Sequence, residues 1–153
     1  MKKEDYDAYK QKYPELPDYE ELDWEFEISE IDKKKFLLRH IRRSMTNKIE
    51  RLAEILQSIL QPDPASFIDL YECRMYNEED KKNIFEICRK LMHHSRNFME
   101  VALQRDDKLE AEAITAAYKN WKENKEQVIE LIKKMKESWT KDMETKEVFR
   151  YMG

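Results

Sequence analysis

Apolar positions recur along most of this chain at steps of three and four residues, the spacing of one face of an α-helix. Leu38, Ile41, Met45, Ile49, Leu52, Leu56 and Ile59 follow that step without a break. Ser29, with Asp32 three residues on, reads as a capping-box-like start for this helix, and Pro62 and Pro64 force its end at Gln61. A short helix over 64–75 follows, with Asp63 as its cap, Pro64 in its first turn and Phe67, Leu70 and Tyr71 directed inward. A third helix starts at Asn77, where Asp80 completes a cap, and continues to about Arg105. Its stripe is Ile84, Ile87, Cys88, Leu91, Ser95, Phe98 and Ala102, widened by Phe85, Met92 and Met99. Asp107 with Glu110 repeats the capping pattern, and the last helix carries Ala113, Ile114, Ala117, Trp121, Val128, Leu131, Ile132, Met135 and Trp139 on one face to about Lys141. Three helices of about 30 residues, at ~1.5 Å per residue, predict an elongated antiparallel bundle whose stripes bury one another.

The first 28 residues read differently. Pro14 and Pro17 limit regular structure, and Leu22, Trp24, Phe26 and Ile28 alternate with Asp23, Glu25 and Glu27, the period of an extended segment. Tyr19, Leu22 and Phe26 match helical spacing as well, so a turn of helix competes with the extended reading. The chain is therefore expected to be all-α: a three- to four-helix bundle domain over 29–153, joined to an irregular or extended acidic arm over 1–28.

Composition removes whole classes of chemistry. The single glycine is Gly153, which leaves no glycine for a phosphate-binding loop or a nucleophile elbow. Charged residues make up 41% of the chain, but an equal 41% of hydrophobic residues argues for a folded core over disorder. Cys73 and Cys88 lack the spacing of a zinc site and read as free buried thiols within helices. The segment MKKEDYDAYK has no apolar centre of a signal peptide, and no apolar run approaches the ~20 residues that span a bilayer. These features point to a reducing, cytoplasmic setting without a membrane partner.

Charge is strongly polarised. Residues 1–32 hold four basic and twelve acidic side chains, while residues 33–51 hold eight basic and one acidic. At 100° per residue, Arg39, His40, Arg43, Asn47 and Arg51 fall opposite the apolar stripe, with Lys33 and Phe36 beside them. An exposed aromatic among arginines is equipped to stack on a base while the guanidiniums hold phosphates. Two other readings use the same residues. The face is simply solvated, with Arg51 paired to Glu54 and Phe36 under the acidic arm, or the arm's carboxylates sit on it as an electrostatic gate. The net charge of −4 and isoelectric point near 5.6 weigh against nucleic acid.

The remaining candidate constellations read as packing more readily than as chemistry. His94 borders the apolar stripe as a packed, hydrogen-bonded residue and His93 points outward; with His40 they form no metal-ligand spacing. His40 followed by Arg43 and Ser44 resembles, over five residues, the His-x-x-Lys-Gly pattern of the histidine phosphotransfer family, with arginine replacing lysine and no glycine. That resemblance implies a nucleophilic imidazole at His40, whose protonation the neighbouring arginines disfavour. Glu78, Glu79 and Asp80 complement a helix dipole, and Glu110 projects inward as a cap partner, which leaves no pair of metal-holding helices. Met45, Met75, Met92, Met99, Met135 and Met143 fill a core or line an adaptable groove, and Asn124 on an apolar face fixes register.

The reading that follows is a non-enzymatic interaction module that binds a protein partner through the arm residues Tyr19, Leu22, Trp24 and Phe26. No catalytic residue, metal or cofactor is expected. A nucleic-acid-binding accessory protein using Lys33, Phe36, Arg39, His40, Arg43 and Arg51 is the alternative, and a histidine phosphotransfer or metal-dependent helical enzyme is the third. Homo-oligomer formation stays open.

Overall fold

A computed structural model describes residues 1–32 and 35–141; Lys33 and Met143 lie outside the described residues. The fold is all-α. Six α-helices and one 3₁₀ turn make up its described elements: α1 Lys3–Lys12, α2 Tyr19–Phe26, the 3₁₀ turn Ile28–Glu30, α3 Leu37–Leu60, α4 Phe67–Cys73, α5 Glu78–Gln104 and α6 Asp107–Ser138. They divide into two compact units. The first holds residues 1–51 and 90–122, the second residues 52–89 and 123–141.

In the first unit the amino-terminal segment is helical where alternation suggested an extended arm. On α2 the spacing of Leu22, Glu25 and Phe26 sets the buried face, and of the alternating apolar residues Trp24 alone is left outside. Glu20 and Glu21 in the first turn suit the helix dipole. Glu27 ends the helix in a left-handed conformation, φ 52°, with its N–H bonded to the Asp23 carbonyl at 2.7 Å. α1, which no apolar stripe announced, is anchored by buried Tyr6, whose hydroxyl donates to the Pro17 carbonyl at 2.7 Å.

The first long helix begins at Leu37, seven residues later than a cap at Ser29 implies. The Ser29 N–H is occupied by the Asp23 carboxylate at 2.6 Å, and Ile28 is fully buried, so this stretch closes α2 and does not open α3. Phe36 then turns the chain with a left-handed φ of 57°, its carbonyl accepting from the backbone N–H groups of Arg39 and His40. Leu37, Leu38, Ile41, Met45 and Ile49 from α3, Leu91, Phe98 and Val101 from α5, and Ile114, Ala117 and Trp121 from α6 fill the interior of this unit.

The second unit is built on Leu56, Ile59, Tyr71, Tyr76, Ile84, Ile87, Val128 and Leu131. Tyr71 and Tyr76 donate their hydroxyls to the Ser138 and Leu131 carbonyls of α6, each at 2.7 Å. Burial pushes the Tyr76 hydroxyl up to about 12. Asn77 and Asp80 form the expected reciprocal cap of α5, at 3.1 and 2.8 Å. Two other caps differ from expectation by position. Ser66, not Asp63, caps α4 by accepting from the Asp69 N–H, and Asp106, not Asp107, caps α6 by accepting from Lys108 and Leu109. Some stripes are narrower than the sequence suggested: Phe85, Met99, Phe67 and Trp139 are exposed.

Candidate functional site

The basic face of α3 lies in the first unit. Arg43, Asn47 and Arg51 are exposed, and Arg39 and His40 are half-buried. Phe36 is 57% exposed, so the acidic arm does not cover it; the Arg39 guanidinium instead lies 4.5 Å over its ring. An exposed aromatic held at positive φ with a cation on its face is an unusual arrangement, since a bulky residue in that conformation costs on the order of 1–3 kcal/mol.

The acids of the amino-terminal segment turn elsewhere. Glu20 pairs with Lys3 and Asp18 with Lys10, while Tyr118 donates to Glu21 and Trp121 donates its indole N–H to Glu25, both at 2.7 Å. The Lys48 ammonium reaches the Glu25 carbonyl and stands 5.0 Å over the Trp121 ring. Ser44 donates to the Phe26 carbonyl at 2.8 Å. These bonds join α2 to the sides of α3 and α6 as a structural layer, an arrangement that does not support a gate laid over the arginines.

Of the four arm residues singled out for partner binding, Leu22 and Phe26 are buried and Tyr19 is half-buried, its hydroxyl donating to the Met1 carbonyl. Trp24 is 82% exposed. It borders a shallow groove of about 680 Å³ whose charged lining residues, Asp23, Glu27 and Glu30, are all acidic.

Arg42 escaped the sequence reading. It points inward, and its Nε donates to Glu110 Oε2 at 2.7 Å, where Glu110 is only 1% exposed. Glu110 is thus not a cap partner. Its other oxygen is buried with no hydrogen-bond partner, and burial pushes its carboxyl up while the Arg42 charge pulls it back down. His94 is half-buried with Nδ1 unpaired, short of the fully hydrogen-bonded state expected; burial and the His93 ring beside it hold its imidazole below the ordinary range. Cys73 and Cys88 are free and half-buried, and burial raises both thiols. Among the described residues no group of three or more His, Cys, Asp or Glu is placed to hold a metal ion, and no helix is long and apolar enough to cross a membrane.

Compared with protein-family models, with curated proteins and with solved structures, the chain finds no match in any of the three.

Proposed function

We propose that the chain is a non-enzymatic interaction module that presents Trp24 to a protein partner. The supporting observation is the contrast within α2: Leu22 and Phe26 anchor the helix in the core while Trp24 stands 82% exposed between acidic neighbours. A solvent-facing tryptophan on a helix already anchored in the core needs no backbone ordering to bind, and tryptophan is enriched among residues that dominate interface energetics. The free thiols and the lack of an apolar spanning helix among the described residues fit a cytoplasmic partner. Affinity capture from native cells with the wild-type chain and with Trp24→Ala, read by quantitative mass spectrometry, tests this. A specific partner should fall by about ten-fold or more in the variant, as for a hot-spot residue; equal recovery of every partner would sink the reading.

A second reading rests on Phe36. Its exposed ring, left-handed backbone and Arg39 stack, beside exposed Arg43 and Arg51, favour a single-stranded nucleic acid whose base stacks where solvent now lies. Filter binding to mixed RNA and single-stranded DNA at two salt concentrations should then show retention that weakens steeply with salt and disappears in Arg39→Glu/Arg43→Glu. Absence of retention at low salt ends this reading.

A further inference from the structure

In the second unit, α4 carries Phe67, Ile68 and Tyr71, and the turn after α6 carries Trp139. The Tyr71 and Trp139 rings stack with centroids 4.5 Å apart and 25° between planes. The Arg74 guanidinium lies 4.1 Å over the Tyr71 ring. Two groups so close to one ring cannot share a face, so the order of the stack is Arg74, Tyr71, Trp139. Phe67 is 5.7 Å from Tyr71 and 6.1 Å from Trp139, which places it beside the pair and not across its end. Among the described residues no further ring lies on the outer face of the Trp139 indole. Trp139 is 47% exposed, and Phe67 and Ile68 are exposed with it.

Its orientation is fixed by an acid. The indole N–H donates to Glu72 Oε1 at 2.7 Å, and a carboxylate acceptor pushes electron density into the ring and makes its face a better seat for a cation. An apolar partner would gain the exposed rings alone; a cation gains the ring face and the Glu72 carboxylate beside it as well.

We propose that this face of α4 and Trp139 binds an arginine or lysine side chain of a basic peptide segment in a partner protein. The Arg74 stack on Tyr71 shows the same contact made within the chain. The site uses none of the residues around Trp24, so either proposal can fail without the other.

The test is a titration of the full chain with a fluorescently labelled octapeptide of alternating arginine and glycine, and with its glutamate counterpart, followed by anisotropy. The arginine peptide should bind and the glutamate peptide should not. Trp139→Ala and Glu72→Gln should each weaken binding by about ten-fold, the range of a partly desolvated cation–π contact, while Leu103→Ala, at an exposed position of α5 that neither site uses, leaves it unchanged. Circular dichroism is read for each variant. If Trp139→Ala loses its helicity, Trp139→Phe, which keeps a ring and removes the bond to Glu72, should still weaken binding by about three-fold. Equal affinity of wild type and the Trp139 variants, or no binding of the arginine peptide at low salt, would overturn the proposal. So would a wild-type dimer that Trp139→Ala converts to a monomer without any peptide bound, which would give the face to a second copy.

Discussion

Arg42→Ala and Glu110→Ala should each lower the unfolding free energy by about 3–5 kcal/mol, because either truncation strands a charge in the interior of the first unit. The geometry makes the pair vulnerable: one bond of 2.7 Å joins Nε to Oε2, and Glu110 Oε1 has no partner to share the load. Urea denaturation of the two single variants and of Arg42→Met/Glu110→Leu forms the experiment. The double variant should be within about 1 kcal/mol of wild type, since well-packed apolar replacements of buried ion pairs are commonly neutral or stabilising. The direction with pH is also determined. Burial raises the Glu110 carboxyl above its unfolded value, so the folded state takes up its proton first, and the stabilising contribution of that proton is lost as pH rises through the folded pKa. In Arg42→Ala, where the charge that holds the carboxyl down is gone, the deficit should therefore shrink on acidification. A Glu110→Ala cost below about 1 kcal/mol would contradict a buried, charge-bearing pair.

Phe26→Ala should cost about 3–5 kcal/mol, the range for removing a buried aromatic, whereas Trp24→Ala should stay within about 0.5 kcal/mol. Only two positions separate them, but Phe26 meets Trp121 edge to face at 6.2 Å with Lys48 5.2 Å over its ring, and Trp24 is in solvent. Thermal unfolding by circular dichroism distinguishes the two directly. Small, equal losses at both sites would mean that α2 is detached from the core and that the amino-terminal segment behaves as a free arm.

That distinction marks where the sequence pattern was ambiguous. Leu22, Trp24, Phe26 and Ile28 satisfy a period of two, and Leu22 and Phe26 satisfy a helix as well; the tie is broken by Tyr118, Trp121, Ser44 and Lys48, residues on other elements that donate hydrogen bonds to α2. Local pattern cannot contain those partners. α1 was concealed differently: its mean composition is polar, and its signal is Tyr6, Tyr9 and Tyr13 at helical steps, which a search for aliphatic stripes passes over. The long helices were legible because Leu38 through Ile59, Ile84 through Phe98 and Ala113 through Leu131 recur at helical steps, with Ser95 and Asn124 the polar members of the last two, and the Asn77–Asp80 cap was legible because both partners lie three residues apart. Stripe width was not. Phe85 and Met99 flank faces already filled by Ile84, Ile87, Leu91 and Phe98, and remain outside.

The candidate sites divide in the same way. Exposure of Arg43 and Arg51 follows from helical projection alone, as does the inward direction of Glu110. Arg42 lies four residues after Leu38 and three before Met45, so its position on the apolar face was also available; two inward side chains of opposite charge, one on α3 and one on α6, were a pair waiting to be matched. The Trp139 stack had no such signal, since its indole is oriented by Glu72, 67 positions away, and depends on α6 ending at Ser138.

The three tryptophans stand at three depths: Trp24 in solvent, Trp139 half in it, and Trp121 at 5% exposure against a carboxylate and an ammonium. The chain thus contains its own optical reporters, graded in their access to a soluble quencher. A neutral quencher such as acrylamide should reach the first readily, the second in part and the third only when the interior opens, so quenching distinguishes an event at α2 from one at α4 and both from unfolding.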